Sequence, residues 1–494
     1  MPQRLLQVDP RDTVATALLD LAAGVVEQYS PTAQVTLVEP VRRGHKVALR
    51  PIGVGDPVIK FGFMCARATA RIEAGSHVHT HNSATTLQPG AEFQYHPEVD
   101  PRPPQDDPPH FMGYRRSNGR VGTRNEIWII PTVGCVARTA ARIARHATEK
   151  HAAAVDGIHA FAHPLGCSQL GEDLAGTRNL LAALASHPNA GGVLLIGLGC
   201  ESNQMRALLQ QVDKTAGPIR TLIAQQSDDE FAAGMALVDE LVAEAALTRR
   251  TPATLGDLVV GLKCGGSDGM SGLTANPLVG RISDAVTGAG GKSILTEIPE
   301  IFGAEQLLMK RAADEQVFAG IVSLVTGFRQ YFVDHGQPVS ENPSPGNIEG
   351  GITTLEEKSL GAVQKAGRAT VTDVIAYGER VVKSGLTLLE SPGNDAISST
   401  ALAAAGANVI LFTTGRGTPL GFPVPTIKIS SNSELAVRKS GWIDFDAGIV
   451  LEQGVDEVSR LLLEQVCAVA SGTQTAAERN EEREIAIWKR GVTL

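Results

Sequence analysis

At 494 residues the chain is too long for a single hydrophobic core, and two to four domains are expected. A net charge of −9 argues against a general nucleic-acid surface but is compatible with a small anionic ligand, because a local pocket can be positive on an acidic protein. No apolar run reaches the roughly 18 residues of a membrane span and the N-terminus carries no signal-peptide core, so a cytoplasmic protein with no membrane partner is expected.

Residues 1–82 read as a small all-β unit. Short strands are expected at 35–38, 46–49 and 58–61, between turns rich in Gly, Pro and Asp, with one helix at 13–23. The unit ends in Gly75-Ser76-His77-Val78-His79-Thr80-His81-Asn82. On a strand, this alternation sets all three histidines on one face, as a metal site or as a polar face in solvent. Residues 83–112 change character. Pro97, Pro101, Pro103, Pro104, Pro108 and Pro109 alternate with acidic residues and show almost no apolar periodicity, which predicts an extended linker and a domain boundary.

From Gly113 to residue 250 the texture is α/β. Strands are expected at 127–132, 158–162 and 192–197, with a helix at 137–150; the alternation implies a largely parallel sheet. Each of these strands runs into a turn with glycine beside cysteine, giving Cys135, Cys167 and Cys200; the same grammar returns at Cys264. Six cysteines over this length are not a disulfide framework. One such cysteine alone is a small core hydrophobe, but four in the same topological position can face one crevice and offer soft ligands to iron or an iron–sulfur cluster. No pair has the CxxC spacing.

Residues 251–494 form a third region, also α/β. An apolar strand at 258–262 leads into Lys263-Cys264-Gly265-Gly266-Ser267-Asp268-Gly269, then a helix. Such a turn lets backbone N–H groups approach an anion, though a turn with ordinary caps has the same composition. The glycine run at 287–291 does not follow a strand, so it reads as a helix end rather than a dinucleotide site. A strand is expected at 293–296, a rigid polar loop at 342–347 and a helix through 356–358. The strand at 409–412 opens into Thr413-Thr414-Gly415-Arg416-Gly417, where Arg416 either presents a guanidinium fork to a carboxylate or sits on the surface.

Seven words of this sequence are long and unusual: GHKVAL (44–49), HVHTHN (77–82), the GY-R-x3-GRVGTRN block (113–125), GLGCE (197–201), CGGSDGMSGLTANP (264–277), NPSPGN (342–347) and FTTGRGTPLG (412–421). Through them nearly the whole chain resembles the altronate/galactarate dehydratase family of sugar-acid hydro-lyases. The resemblance implies an N-terminal β-clip domain of the SAF type joined to a large catalytic region of two α/β domains with mostly parallel sheets. In the related sulfolactate sulfo-lyases the two parts look like separate subunits. The histidine word favours altronate over galactarate within the family and implies that His79 faces a metal.

The implied reaction is dehydration of D-altronate to 2-dehydro-3-deoxy-D-gluconate with Fe²⁺, or another divalent cation in its place. On this reading His77, His79 and His81 hold the metal. His45 is the base or an additional ligand, with Lys46 as an alternative base. Arg416, Thr414 and the Gly265-Gly266-Ser267-Asp268 turn bind the acid. Other expectations compatible with these residues are a galactarate or other aldonate/aldarate dehydratase, a sulfolactate sulfo-lyase, or a non-catalytic sugar-acid or metal-binding protein. The oligomeric state stays open, a homo-oligomer included.

Overall fold

The computed structural model describes residues 4–87, 93–100, 108–151 and 153–493. The N-terminal unit is antiparallel. Leu5–Leu6, Val14–Ala17, Lys46–Ala48 and His77–Val78 form one sheet in that order, and Pro57–Lys60, Phe63–Ala68 and Ser83–Ala84 form a second. The helix expected at 13–23 is absent. Val14–Ala17 is a strand with every residue buried, paired on both sides, and Leu21 bridges to Val41. The Ala/Leu-rich stretch has helical propensity, but burial and two ladder partners outweigh it.

Residues 88–92 and 101–107, and with them much of the expected linker, lie outside the described residues. The described parts of 83–112 lie along the C-terminal region rather than standing free as an extended connector. The Thr85 and Thr86 hydroxyls donate to Glu356 at 2.8 and 3.1 Å. The Tyr95 ring sits 5.3 Å from that of Phe318, and Glu98 pairs with Lys310 at 2.8 Å. His110–Arg115 is a strand antiparallel to Thr251–Thr254.

The middle unit is a parallel sheet in the order Gly157–Ala160, Glu126–Pro131, Ala190–Gly197, Ile219–Ile223. Alternation along Glu126–Pro131 splits its side chains between two cores. Ile127 and Ile129 pack with helices Ala137–His151 and Glu230–Ala245. Trp128 and Ile130 join the core that includes helix Gly171–Ala185 and the last unit. That last unit is a seven-stranded parallel sheet in the order Val371–Ile375, Gly385–Leu389, Lys292–Leu295, Val259–Cys264, Val409–Thr414, Thr426–Ser430, Phe445–Asp446. Strand order reverses between Val259–Cys264 and Val409–Thr414. A crevice opens at the carboxyl ends of strands where order reverses, and ligands of open α/β sheets collect there. Among the described residues no helix is long and apolar enough to cross a membrane.

The N-terminal unit docks against that crevice through backbone. A Cβ on Gly269 would lie 1.9 Å from the Gly44 oxygen, and one on Gly351 2.4 Å from it, so both positions need glycine. Gly44 itself has φ +82°, a conformation that favours glycine. Beside this contact, Lys46 and Lys60 of the N-terminal unit reach Glu357 at 2.7 and 2.9 Å, all three side chains buried. Burial alone would raise the Glu357 carboxyl. The two ammonium groups and the Thr353 N–H outweigh it and hold the carboxyl at about 2. Its contribution to stability is therefore complete above the ordinary carboxylate range and is lost as pH falls towards 2.

Replacing Glu357 by Gln leaves two buried ammonium groups without their counter-charge. The expected loss is about 3–5 kcal/mol, read from the denaturant midpoint. A loss under about 1 kcal/mol would mean that the junction does not depend on this ion triad.

Candidate active site at the junction

The histidine cluster is built by pairing Lys46–Ala48 with His77–Val78, which sets Val47 opposite His77. The strand stops at Val78. Asn82 then closes a turn, accepting from His79 N–H at 2.9 Å and donating to the His77 carbonyl at 2.9 Å. This turn decides which histidines meet. His45, His77 and His79 bring one ring nitrogen each to within 4.8 Å of the others. His81, expected on the same strand face, lies beyond the turn, exposed, with its ring centroid 5.8 Å from that of His77. The third member of the trio is thus His45, placed by the sequence only as a base or an additional ligand.

The tautomers of two rings follow from their partners. His45 Nε2 lies 3.1 Å from the Glu349 carbonyl and His79 Nε2 lies 3.2 Å from the Ile348 carbonyl. A carbonyl only accepts, so each Nε2 carries the proton and each Nδ1 keeps its lone pair. His45 Nδ1 accepts from His77 Nε2–H at 2.9 Å. Carbonyls that fix ring orientation in this way are the usual outer support of metal-binding histidines. Burial, chiefly, lowers the basicity of all three rings, and His77 is pulled down to about 3. The donor set therefore fits a divalent transition metal such as Fe²⁺: three neutral imidazoles, oriented and close together.

The two carbonyls belong to helix Pro345–Glu349, which begins inside the stretch 342–347 expected as a rigid loop. Ser344 and Asn347 form a capping box there, Ser344 N–H donating to Asn347 Oδ1 at 3.0 Å, with Pro345 opening the helix. Glu349 also ties Arg416 to this helix, its carboxylate accepting from the guanidinium at 2.7 Å. Arg416, Arg43 and Arg438 line a cavity of about 340 Å³ together with Gly44, Asp268, Asn432 and Glu434, the last lying 3.8 Å from Arg438. Arg43 Nε is buried there with no hydrogen-bond partner among the described residues. A cavity with three guanidinium groups suits a carboxylate.

The remaining residues singled out from the sequence take other places. Lys46 is fully buried, donating to Glu357 and to the Gly351 carbonyl at 2.8 Å, so its ammonium faces the junction rather than the cavity. Asp268 Oδ1 accepts from Met270 N–H, Ser271 N–H and the Ser271 and Ser431 hydroxyls, and so pins its turn. Thr414 Oγ1 accepts from Gly417 N–H at 2.8 Å and shapes the Arg416 loop. Gly265 lets the turn pass the Phe412 ring, which a Cβ would approach to 2.4 Å, and Gly266 has φ +58°.

Cys264 and Ser267 line a second cavity of about 410 Å³, with Glu300, Lys358 and Asp395. Burial pushes the Cys264 thiol up, so it stays protonated. Cys264 is thereby separated from Cys135, Cys167 and Cys200, which are exposed in the middle unit. The sequence reading missed the charges around this second cavity. Lys358 pairs with Glu300 at 2.9 Å, Lys263 pairs with both Glu297 and Asp395, and Lys365 pairs with Glu297. A lysine at the end of the apolar run 258–262 was the visible signal.

Family models match the chain in three pieces: "Altronate/galactarate dehydratase SAF domain" over 3–86, "D-galactarate dehydratase/Altronate hydrolase, second domain" over 113–246, and "D-galactarate/Altronate dehydratase, C-terminal" over 255–493. The chain is 48% identical to the altronate dehydratase of Escherichia coli K12 and 46% identical to that of Bacillus subtilis 168, over 99% of each chain. It is 33% identical to the L-threo-forming galactarate dehydratase of Escherichia coli K12, over 88% of this chain and 87% of that one.

Two outcomes test the trio. His77→Ala weakens divalent-metal binding by roughly 100-fold or more in a calorimetric titration, whereas His81→Ala leaves it unchanged. Because the three rings are less basic than an ordinary imidazole, protons compete poorly, and affinity holds as pH falls through 6.5. A steep loss of affinity between about pH 7.5 and about pH 6 would contradict the buried, neutral trio.

Proposed function

The chain belongs to the altronate/galactarate dehydratase family and is a sugar-acid dehydratase, and on that premise we propose that its substrate is D-altronate, its product 2-dehydro-3-deoxy-D-gluconate and its metal Fe²⁺. The observation that carries the reading is the double role of Glu349. Its carbonyl orients His45 and its carboxylate holds Arg416, so the metal-type trio and the cationic cavity share one short helix.

The reaction removes the proton at C2, alpha to a carboxylate, and expels the C3 hydroxyl. Arg416, with Arg43 and Arg438, binds the carboxylate and stabilises the negative charge that grows on it as the proton leaves. Ferrous iron, when bound, would supply a Lewis acid. His45, His77 and His79 would hold it, and the Ile348 and Glu349 carbonyls keep two of those rings in the ligating tautomer. The Asp268 and Thr414 turns set the cavity wall without needing to touch substrate.

Anaerobic turnover of D-altronate, with and without added Fe²⁺ and a chelator, tests the reading. Iron-dependent formation of the 2-keto-3-deoxy acid is expected, and His79→Ala abolishes both turnover and iron retention. Arg416→Ala lowers kcat/KM by about 10- to 100-fold, raising KM and lowering kcat together. Turnover of galactarate in place of altronate would correct the substrate.

A further inference from the structure

Three thiols of the middle unit have no part in the junction site. Cys135, Cys167 and Cys200 are free and exposed. They follow Glu126–Pro131, Gly157–Ala160 and Ala190–Gly197, three adjacent strands of one parallel sheet with Glu126–Pro131 in the middle. All three therefore emerge at the same carboxyl edge, on turns whose neighbouring parent strands lie about 4.8 Å apart and whose outer two lie about 10 Å apart.

The three turns are bolted to one another. Gly134 N–H donates to the Leu165 carbonyl at 2.9 Å, Asn203 N–H to the Gly166 carbonyl at 2.9 Å, and Ser168 N–H to Ser202 Oγ at 3.2 Å. A Cβ on Gly166 would lie 2.2 Å from the Thr132 oxygen, so the turn bearing Cys167 rests directly on the one bearing Cys135. Buried Glu201 accepts from the Thr132 hydroxyl at 2.6 Å and from Gly199 N–H at 2.6 Å, fixing the turn that bears Cys200. Ser168, next to Cys167, is held at φ +56°, a conformation that disfavours a side chain by about 1 kcal/mol. Exposed thiols add nothing to a core and are open to oxidation. Rigid turns that present three of them at one edge point to a ligand.

We propose that Cys135, Cys167 and Cys200 together ligate an iron–sulfur cluster. A single ion with thiolates at about 2.3 Å would need the three sulfurs within about 4 Å of one another. Among the described residues, the His45–His77–His79 trio is the only group of three or more Cys, His, Asp or Glu ligand atoms gathered within 4.8 Å. A polynuclear cluster, in which each thiolate binds a different iron, spans the ends of neighbouring strands as one ion does not. Binding releases the three thiol protons to solvent. In a four-iron cluster, three thiolates leave one iron without a cysteine and open to an oxygen ligand. Cys264 is not part of the set, being buried at the end of a different sheet against Ser267.

The full chain, purified anaerobically and reconstituted with sulfide and an equal mixture of ferrous and ferric iron, is the test. The expected result is a broad visible charge-transfer band with about four iron and four acid-labile sulfide per chain. Cys135→Ser, Cys167→Ser and Cys200→Ser each lose the band while keeping the far-ultraviolet circular dichroism and unfolding midpoint. Cys264→Ser and His79→Ala keep it. The last variant removes the proposed junction iron alone, so failure of the functional reading and failure of the cluster are distinguishable. Reconstituted protein without labile sulfide, or a triple Cys135→Ser/Cys167→Ser/Cys200→Ser variant with an unchanged band, overturns the proposal.

Discussion

The close approach of backbone at Gly44, Gly269 and Gly350 governs the molecule. A side chain at Gly269 would collide with the Gly44 carbonyl, and Gly44 and Gly351 adopt positive φ beside it. With side chains removed from the contact, the N-terminal sheet comes down onto the crevice of the seven-stranded sheet. Lys46 and Lys60 then reach Glu357, and His45 reaches the Glu349 carbonyl. Neither unit contains the candidate active site alone. One supplies imidazoles, the other supplies the carbonyls that orient them and two of the three cavity arginines.

Most of the parallel strands were legible because buried β-branched runs followed by glycine turns have few other readings. Val259–Cys264 and Val409–Thr414 were expected in nearly these positions, and the topological reversal between them explains why the words around Cys264 and Arg416 converge. The helix expected at 13–23 failed because local propensity does not report that both edges of Val14–Ala17 find partners. The loop expected at 342–347 gives way to helix from Pro345 because Ser344-Pro345-Gly346-Asn347 contains both turn-like composition and a capping box, and the box prevailed.

The histidines show the same division. Spacing of two groups His77, His79 and His81 if the strand continues, but Asn82 bends the chain back after Val78. His45 is far away in sequence, and only the pairing of Lys46–Ala48 with His77–Val78 brings it into the trio. Lys46 beside it faces the other way, into the ion triad with Glu357, so a one-residue step separates a metal-type ligand from a structural cation. The cysteines divide for a comparable reason. The strand-then-cysteine grammar is shared by two regions of the chain, and the sequence does not say whether their sheet edges meet.

The two carbonyls at the end of helix Pro345–Glu349 have a thermodynamic corollary. They hold the His45 and His79 tautomers from outside the unit that carries those rings. Any ligand that prefers this pair of tautomers must, by reciprocity, tighten the grip between the two units, and any change that loosens that grip must weaken the ligand by the same free energy. Occupancy at the histidines and cohesion of the junction are two readings of one equilibrium.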